Sequence, residues 1–366
     1  MKKISLLLCL FIAAQGFSQG KGFVINGVMK HANDHSHLYL MHKENGEPVF
    51  DSTLVNAEKF TFKGKTAEPN MYYITLTKAE NPTLMFFVDN TAISVTASID
   101  SLAAAQIKGG PTQTDFKTWQ QMQGKYAEVR KGLIMQYNEK GKNQDQAGAQ
   151  KIMDSAMVLE RAYEKDIVKF IKTHPQSNVG GYAIWAVTFD WPKIPEYDEM
   201  YNALSPQVKQ GKYGKLAEEK IVTLKGITIG YPAINFAQPD VNGKSVSLNS
   251  LKGKVVLVDF WASWCGPCRA ENPAVVAAYQ KYKDKGFDVL GVSLDQNKDK
   301  WLQAIQKDGL TWTHVSDLKG WQNEAAKKYS VTSIPFNVLI DKDGKVLAKG
   351  LRGPALEEKL AEIFDK

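Results

Sequence analysis

A chain of 366 residues, 43% hydrophobic and 23% charged, has the make-up of a globular protein with room for two or three domains of roughly 100–200 residues. Its formal charge of +7 is spread along the sequence without a long basic block, which gives nucleic-acid binding no support. Three Cys are too few for a disulfide-stapled scaffold.

Residues 1–19 read as a secretory signal peptide. Lys2 and Lys3 precede a mostly apolar run from Ile4 to Ala14, which is shorter than the about 20 residues that span a bilayer. Gly16 and Ser18 suit cleavage near Ser18 or Gln19, and an uncleaved signal anchor is the alternative. Cys9 lies inside the apolar run without the Leu-small-small context of a lipid-anchored Cys. Cleavage leaves a single pair, Cys265 and Cys268, and no later stretch apolar enough for a transmembrane segment.

Residues 20–110 read as a β-rich N-terminal domain. Phe23-Val24-Ile25, His37–Met41, Lys59–Phe62, Tyr72–Leu76, Leu84–Val88 and Ile93–Ala97 are short β-prone runs, some separated by turns such as Glu44-Asn45-Gly46-Glu47. Their spacing suggests a sandwich or open barrel. After Gly109-Gly110-Pro111 the period changes, and residues 111–225 read as helical. Phe116, Trp119 and Met122 form one stripe; Ile152, Ala156, Leu159, Tyr163, Ile167 and Phe170 form another. Glu139–Gly148 is the expected loop between two helices, and Pro175 opposes continuation of the second.

A linker near Lys225–Pro232 leads to the last domain, residues 228–366, where strands and helices alternate. Lys254–Phe260 is a Val-rich, buried central strand, followed by a helix through Tyr282 and a strand over Phe287–Leu294. Trp301–Asp308 and Gln322–Tyr329 read as helices. Phe336–Ile340 and Val346–Gly350 read as strands joined by the turn Asp341-Lys342-Asp343-Gly344, and Leu356–Phe364 as a final helix. Asp240-Val241-Asn242-Gly243-Lys244 is a second hairpin turn. The expected fold is a mixed sheet flanked by helices.

The pair Cys265-Gly266-Pro267-Cys268 lies between the predicted buried strand and the helix it opens. At a helix N-terminus the macrodipole and free N–H groups favour the Cys265 thiolate. Pro267 is tolerated in the first turn, and Cys268 lies about one turn on, within reach of Cys265. The Cys265 thiolate can attack a substrate disulfide, and Cys268 can then resolve the mixed disulfide. Arg269 adds positive charge nearby. Half of a zinc site and a structural staple are the alternatives. The first lacks a second ligand pair at the right spacing, and the second would close only a two-residue gap.

The string from Val255 to Pro273, with Trp261, Trp264, the Cys pair and Pro273, resembles thioredoxin. With Ser333-Ile334-Pro335 before a strand, residues 230–366 as a whole resemble the TlpA/ResA type of exported thioredoxin-like proteins. More loosely, Asp51-Ser52-Thr53 and Lys59-Phe60-Thr61-Phe62-Lys63-Gly64 resemble the N-terminal extension of TlpA-like proteins of some Gram-negative bacteria. The resemblance implies a cis peptide bond before Pro335, which would open the Ile334 backbone to an extended substrate. It also implies that Trp264, Gly266 and Pro267 lie at the substrate surface. A periplasmic or otherwise exported location follows, with disulfide-containing exported proteins as substrates and a membrane thiol transporter as electron donor. Cytochrome c maturation is one role it suggests. No cofactor or metal is called for beyond the redox-active disulfide itself.

Two acids are candidates for proton handling. Asp259 sits six positions before Cys265, where thioredoxin keeps a buried acid; an edge position satisfied by backbone groups is the alternative. Glu271, three after Cys268, matches an active-site acid of ResA-type proteins, or is a solvated helix-start carboxylate. Thioredoxin pairs its acid with a Lys on the next strand, and that position here is Gly291.

Other features carry less. His31, His35, His37 and His42 fall in a polar loop and around one strand, which favours a solvated surface over metal binding. Tyr182, Trp185, Phe189 and Trp191 suit core packing, or else a partner-gripping surface. The leading function is a protein-disulfide reductase or isomerase, because the Gly-Pro dipeptide matches thioredoxin (about −270 mV) rather than DsbA (about −120 mV). A thiol peroxidase is the runner-up, although its Pro-x-x-x-Thr/Ser-x-x-Cys pattern would need Pro and Thr where Val258 and Ala262 stand. A partner-binding protein with an auxiliary redox module is the third reading.

Overall fold

The computed structural model describes residues 22–44, 46–78, 84–190 and 192–365. The predicted signal peptide, its cleavage site at Ser18-Gln19, Cys9 and Trp191 lie outside the described residues.

The N-terminal strands are β1 (Phe23–Lys30), β2 (His37–Glu44), β3 (Glu47–Leu54), β4 (Lys59–Gly64), β5 (Asn70–Thr75), β6 (Leu84–Val88), β7 (Ala92–Ser98) and β8 (Gln106–Lys108). They make two four-stranded sheets, ordered β4-β1-β7-β8 and β3-β2-β5-β6. Alternation of buried and exposed residues, clearest in β4 and β7, sends one face of each sheet inward. Ile25, Phe60, Phe62 and Val95 of one sheet share a core with Leu40, Ile74 and Phe86 of the other, so the arrangement is a sandwich. β3, like the short β8, is a strand that the apolar pattern does not mark. Its residues are almost all exposed, and it is held by antiparallel pairing to β2 at the sheet edge. Of the histidines, His31 pairs with Asp100, and His42 stacks on Tyr72 at 4.7 Å.

The helices that follow are α1 (Pro111–Lys142), α2 (Gln146–Thr173), α3 (Asn178–Ala186), α4 (Ile194–Asn202), α5 (Pro206–Gln210) and α6 (Lys212–Gly226). Pro111 opens α1, as its missing N–H allows. The loop to α2 is shorter than the polar stretch Glu139–Gly148. The basic last turn of α1 continues the helix to Lys142, and Asp145 caps α2, accepting from the Gly148 N–H at 2.8 Å. Tyr182 of the aromatic stretch is buried edge-on against Phe87, Phe116 and Trp119, which is core packing. The helical residues form no compact unit of their own. Those up to 190 and Glu199–Lys215 group with the sandwich; Pro192–Asp198 and 216–365 form the second unit.

In that second unit the turn Asp240–Lys244 joins β9 (Ala237–Pro239) to β10 (Ser245–Ser247). Then come β11 (Val255–Trp261), α7 (Gly266–Tyr282), β12 (Phe287–Ser293), α8 (Lys298–Asp308), β13 (Thr313–Val315), α9 (Glu324–Lys328), β14 (Phe336–Ile340), β15 (Val346–Lys349) and α10 (Pro354–Phe364). The sheet order is β13-β12-β11-β14-β15, with β11, β12 and β13 parallel and β14 and β15 antiparallel to their neighbours. Every residue of β11 is buried, which a strand covered on both faces requires. Each fully buried Val, Leu or Phe there contributes roughly 1.5–3 kcal/mol. This is the thioredoxin-like mixed sheet with flanking helices.

Candidate active site

The pair sits where β11 gives way to α7. Cys265 is the N-cap of α7, and its Sγ accepts from the Cys268 N–H at 3.2 Å. That N–H and the dipole of a 17-residue helix both act on the sulfur. The two sulfurs form a disulfide with the Cα atoms 5.3 Å apart. Both residues are buried, Cys265 at 5% exposure slightly less so than Cys268 at 2%.

The turn that carries the motif is pinned from below. Asp295, buried in the loop after β12, accepts from the Ser263 N–H at 2.9 Å and from the Ser263 hydroxyl at 2.5 Å. Arg269 does not lend the pair an unbalanced charge. Its guanidinium is engaged bidentately by Asp308 at the end of α8, which also accepts from Asn272 at 2.7 Å.

Asp259 lies on the central strand rather than at an edge, opposite Gly291 of β12 and Asn337 of β14. Burial pushes its carboxyl up to about 7; the charge of Arg352 works against this and that of Glu271 adds to it. A thioredoxin-style Lys has no room at position 291. A Cβ there would lie 2.3 Å from His314 Nδ1 and 3.2 Å from Trp261 Nε1. Burial pushes the His314 imidazole down to about 3, so that ring is neutral.

The polar partners arrive from the other side, through the loop between β15 and α10. Asn337 holds Leu351 by two hydrogen bonds, Nδ2 to its carbonyl at 2.7 Å and Oδ1 from its N–H at 2.9 Å. The next residue, Arg352, donates to the Pro335 carbonyl at 2.5 Å, and Gly353 N–H donates to Glu271 Oε2 at 3.0 Å. One loop therefore touches the Pro335 segment, the α7 acid and the field at Asp259. The Ile334-Pro335 peptide bond is cis.

Trp264 is exposed beside Cys265, while Trp261 is buried in the core. Gly266 and Pro267 are exposed, and a Cβ on Gly266 would meet nothing within 4 Å. Asn337, Arg352, Asp295 and Trp321 escape sequence reasoning. The one local signal is the polar Asn337 inside the otherwise apolar run Phe336–Ile340.

Residues 229–349 match the AhpC/TSA family, and residues 23–116 match a domain of unknown function, DUF4369. The thiol-disulfide oxidoreductase ResA of Bacillus cereus is 35% identical over 157 residues, which is 43% of this chain and 84% of the relative. ResA of Bacillus subtilis is 32% identical over 141 residues, 38% of this chain and 76% of the relative. Among solved structures, the thioredoxin domain of a thiol-disulfide oxidoreductase from Bacteroides vulgatus is 38% identical with a TM-score of 0.36, covering 37% of this chain and 98% of that one. A thiol-disulfide oxidoreductase from Bacteroides fragilis is 37% identical with a TM-score of 0.35, covering 36% and 98%. Through its C-terminal domain the chain belongs to the ResA family of thiol-disulfide oxidoreductases.

Proposed function

We propose that the protein is an exported reductant or isomerase of protein disulfides, with Cys265 as the attacking thiol and Cys268 as the resolving one. The observation that carries this reading is the pair at the N-terminus of α7, with Asp259 buried on the preceding strand and its carboxyl raised to about 7. In the reduced protein the Cys265 thiolate attacks one sulfur of a substrate disulfide, and the other leaves as a thiolate. Asp259 takes the proton of Cys268. The Cys268 thiolate then attacks the Cys265 sulfur, forming the intramolecular disulfide and releasing the second substrate sulfur. The pair loses two electrons and the substrate gains them; the Cys268 proton passes by way of Asp259 to one released substrate thiolate, and water protonates the other. Recharging takes an external dithiol, for which a membrane thiol transporter fits an exported protein.

Trp264, Gly266 and Pro267 form the surface next to the attacking sulfur, and the Ile334 backbone pairs with the substrate. Glu271 acts at a distance, by its charge on Asp259 and its hold on Gly353. Export rests on the N-terminal segment; among the described residues, no helix is long and apolar enough to cross a membrane. Keeping haem-attachment cysteines reduced is one task such a reductant suits.

The AhpC/TSA match makes peroxide the competing substrate. Against it stands buried Ala262 where a peroxidase of that type needs a hydroxyl. The decisive experiment incubates the reduced protein, and its Cys268→Ser variant, with a disulfide-bonded protein and separately with hydrogen peroxide. The expected result is turnover of the disulfide, and a mixed disulfide on Cys265 trapped in the variant. Rapid peroxide consumption with no disulfide turnover would overturn the reading.

A further inference from the structure

Four segments meet at one edge of the five-stranded sheet. β11, β12 and β13 are parallel, so the turns leaving their C-terminal ends share that edge. β14 is antiparallel to β11, so the approach through Ile334-Pro335 reaches the same edge. Trp264 stands in the turn that leaves β11. Trp321 stands in the 3-10 turn Gly320–Gln322, which follows β13.

Both indoles are about half exposed, 54% for Trp264 and 46% for Trp321, and their ring centroids are 6.1 Å apart at 54°. Two adjacent large apolar faces in water mark an interaction site when they border a functional group, and the residue after Trp264 is Cys265.

The exposure of Trp321 is built in. Asn323, with no exposed surface, caps α9 by accepting from Ala326 N–H at 3.0 Å. Its Nδ2 donates to Asp317 Oδ1 at 3.0 Å, to Gln238 Oε1 at 3.2 Å and to the Ser293 carbonyl at 3.4 Å. The Ser293 hydroxyl donates to Asp295, which holds Ser263 in the turn below Trp264. A chain of buried and half-buried hydrogen bonds thus ties the base of one indole to the base of the other. Such a preorganised pair loses little conformational freedom on binding. The charged side chains flanking the Trp321 turn, Lys319 and Glu324, are paired with each other at 2.8 Å, which leaves the indole faces as the recognition chemistry.

We propose that Trp321 and Trp264, in contact with each other, form one apolar platform, a subsite that takes an aromatic or aliphatic side chain neighbouring the disulfide cysteine of an extended polypeptide. The proposal rests on the protein-disulfide reading and adds the chemistry of the partner. Trp264 alone would offer one face beside Cys265. Trp321 extends that face and makes apolar neighbours preferred.

The test uses two disulfide-bonded peptides that differ only in Phe or Gly beside the cysteine, with hydroxyethyl disulfide as a probe of the bare chemistry. For the full chain, kcat/KM is expected to favour the Phe peptide about tenfold. Trp321→Ala should bring that ratio close to one, and Trp321→Phe should restore most of it. A wild-type ratio of one overturns the subsite, as does a ratio that survives Trp321→Ala. A dimer seen by sedimentation that Trp321→Ala dissolves while the ratio persists assigns the pair to a second copy and also overturns it. Wild-type turnover of hydroxyethyl disulfide but of neither peptide rejects the subsite and leaves thiol–disulfide exchange standing. Turnover of none of the three rejects the reductant reading and the subsite with it.

Discussion

Asp259 and Gly291 are neighbours in the parallel register of β11 and β12, and the space above Gly291 is filled by the imidazole of His314. The acid therefore has a closed, neutral side toward β12 and β13. Its charged surroundings, Arg352 and Glu271, come from the loop after β15 and from α7.

Replacing the acid tests its part in resolution. Asp259→Asn keeps the shape and removes the proton acceptor. Formation of the mixed disulfide at Cys265 should change less than about twofold, while its resolution by Cys268 should slow by about 100-fold. Stopped-flow measurement of both steps across roughly pH 6–9 separates them. Equal slowing of the two steps, or of neither, removes Asp259 from the mechanism.

The same substitution has a signature in stability. The folded protein holds the Asp259 proton up to about pH 7, against an ordinary value of 3.8. Below 3.8 both the folded and unfolded forms are protonated, and burial of the acid carries no ionisation cost. The cost grows as pH rises through that window and is complete above about 7, where it is on the order of 4 kcal/mol. Urea unfolding of the oxidised proteins should show Asp259→Asn gaining stability over the wild type at pH 8 but hardly at pH 4. A gain equal at the two pH values would contradict the raised carboxyl.

Position 291 should resist even a methyl group. Gly291→Ala forces a Cβ to within 2.3 Å of His314 Nδ1, and the ring has buried neighbours in Trp261 and Trp312. The expected loss is about 1–3 kcal/mol in urea unfolding. Combining Gly291→Ala with His314→Ala should cost less than the two single losses added together. Strict additivity would show that the contact is not what excludes a side chain there.

Arg352 should set the working pH of Asp259. Its charge lowers the carboxyl, so Arg352→Gln moves the midpoint of the resolution rate upward, by less than about one pH unit because water screens the exposed guanidinium. Arg352→Lys keeps the charge and should hold the midpoint. An unmoved midpoint in Arg352→Gln would confine Arg352 to its hydrogen bond with the Pro335 carbonyl.

Local patterns in the chain carry far in the C-terminal domain. The all-buried run of β11, the N-cap Cys265 and the turn Asp341–Gly344 are each governed by residues adjacent in sequence. The same holds for the alternation in β4 and β7. β3 is not legible in that way, since its polar residues owe their strand to the pairing with β2. Nor is the balance of Arg269, whose partner Asp308 lies 39 residues away on α8.

That a Cys265–Cys268 pair opens a helix after a buried strand, with an acid six residues before it, follows from the local order of the chain. Periodicity, helix capping and turn chemistry act over a few residues, and the motif lies wholly within that range. The surroundings of the acid were decided by tertiary structure alone. Gly291, with His314 over it, neighbours Asp259 because β12 pairs in parallel with β11 and β13 with β12. Asn337 is its neighbour on the other side because β14 enters antiparallel, and Asn337 holds the loop that carries Arg352. Burial that lifts a carboxyl to about 7, and two indoles held 6.1 Å apart, arise only when strands distant in sequence share one sheet.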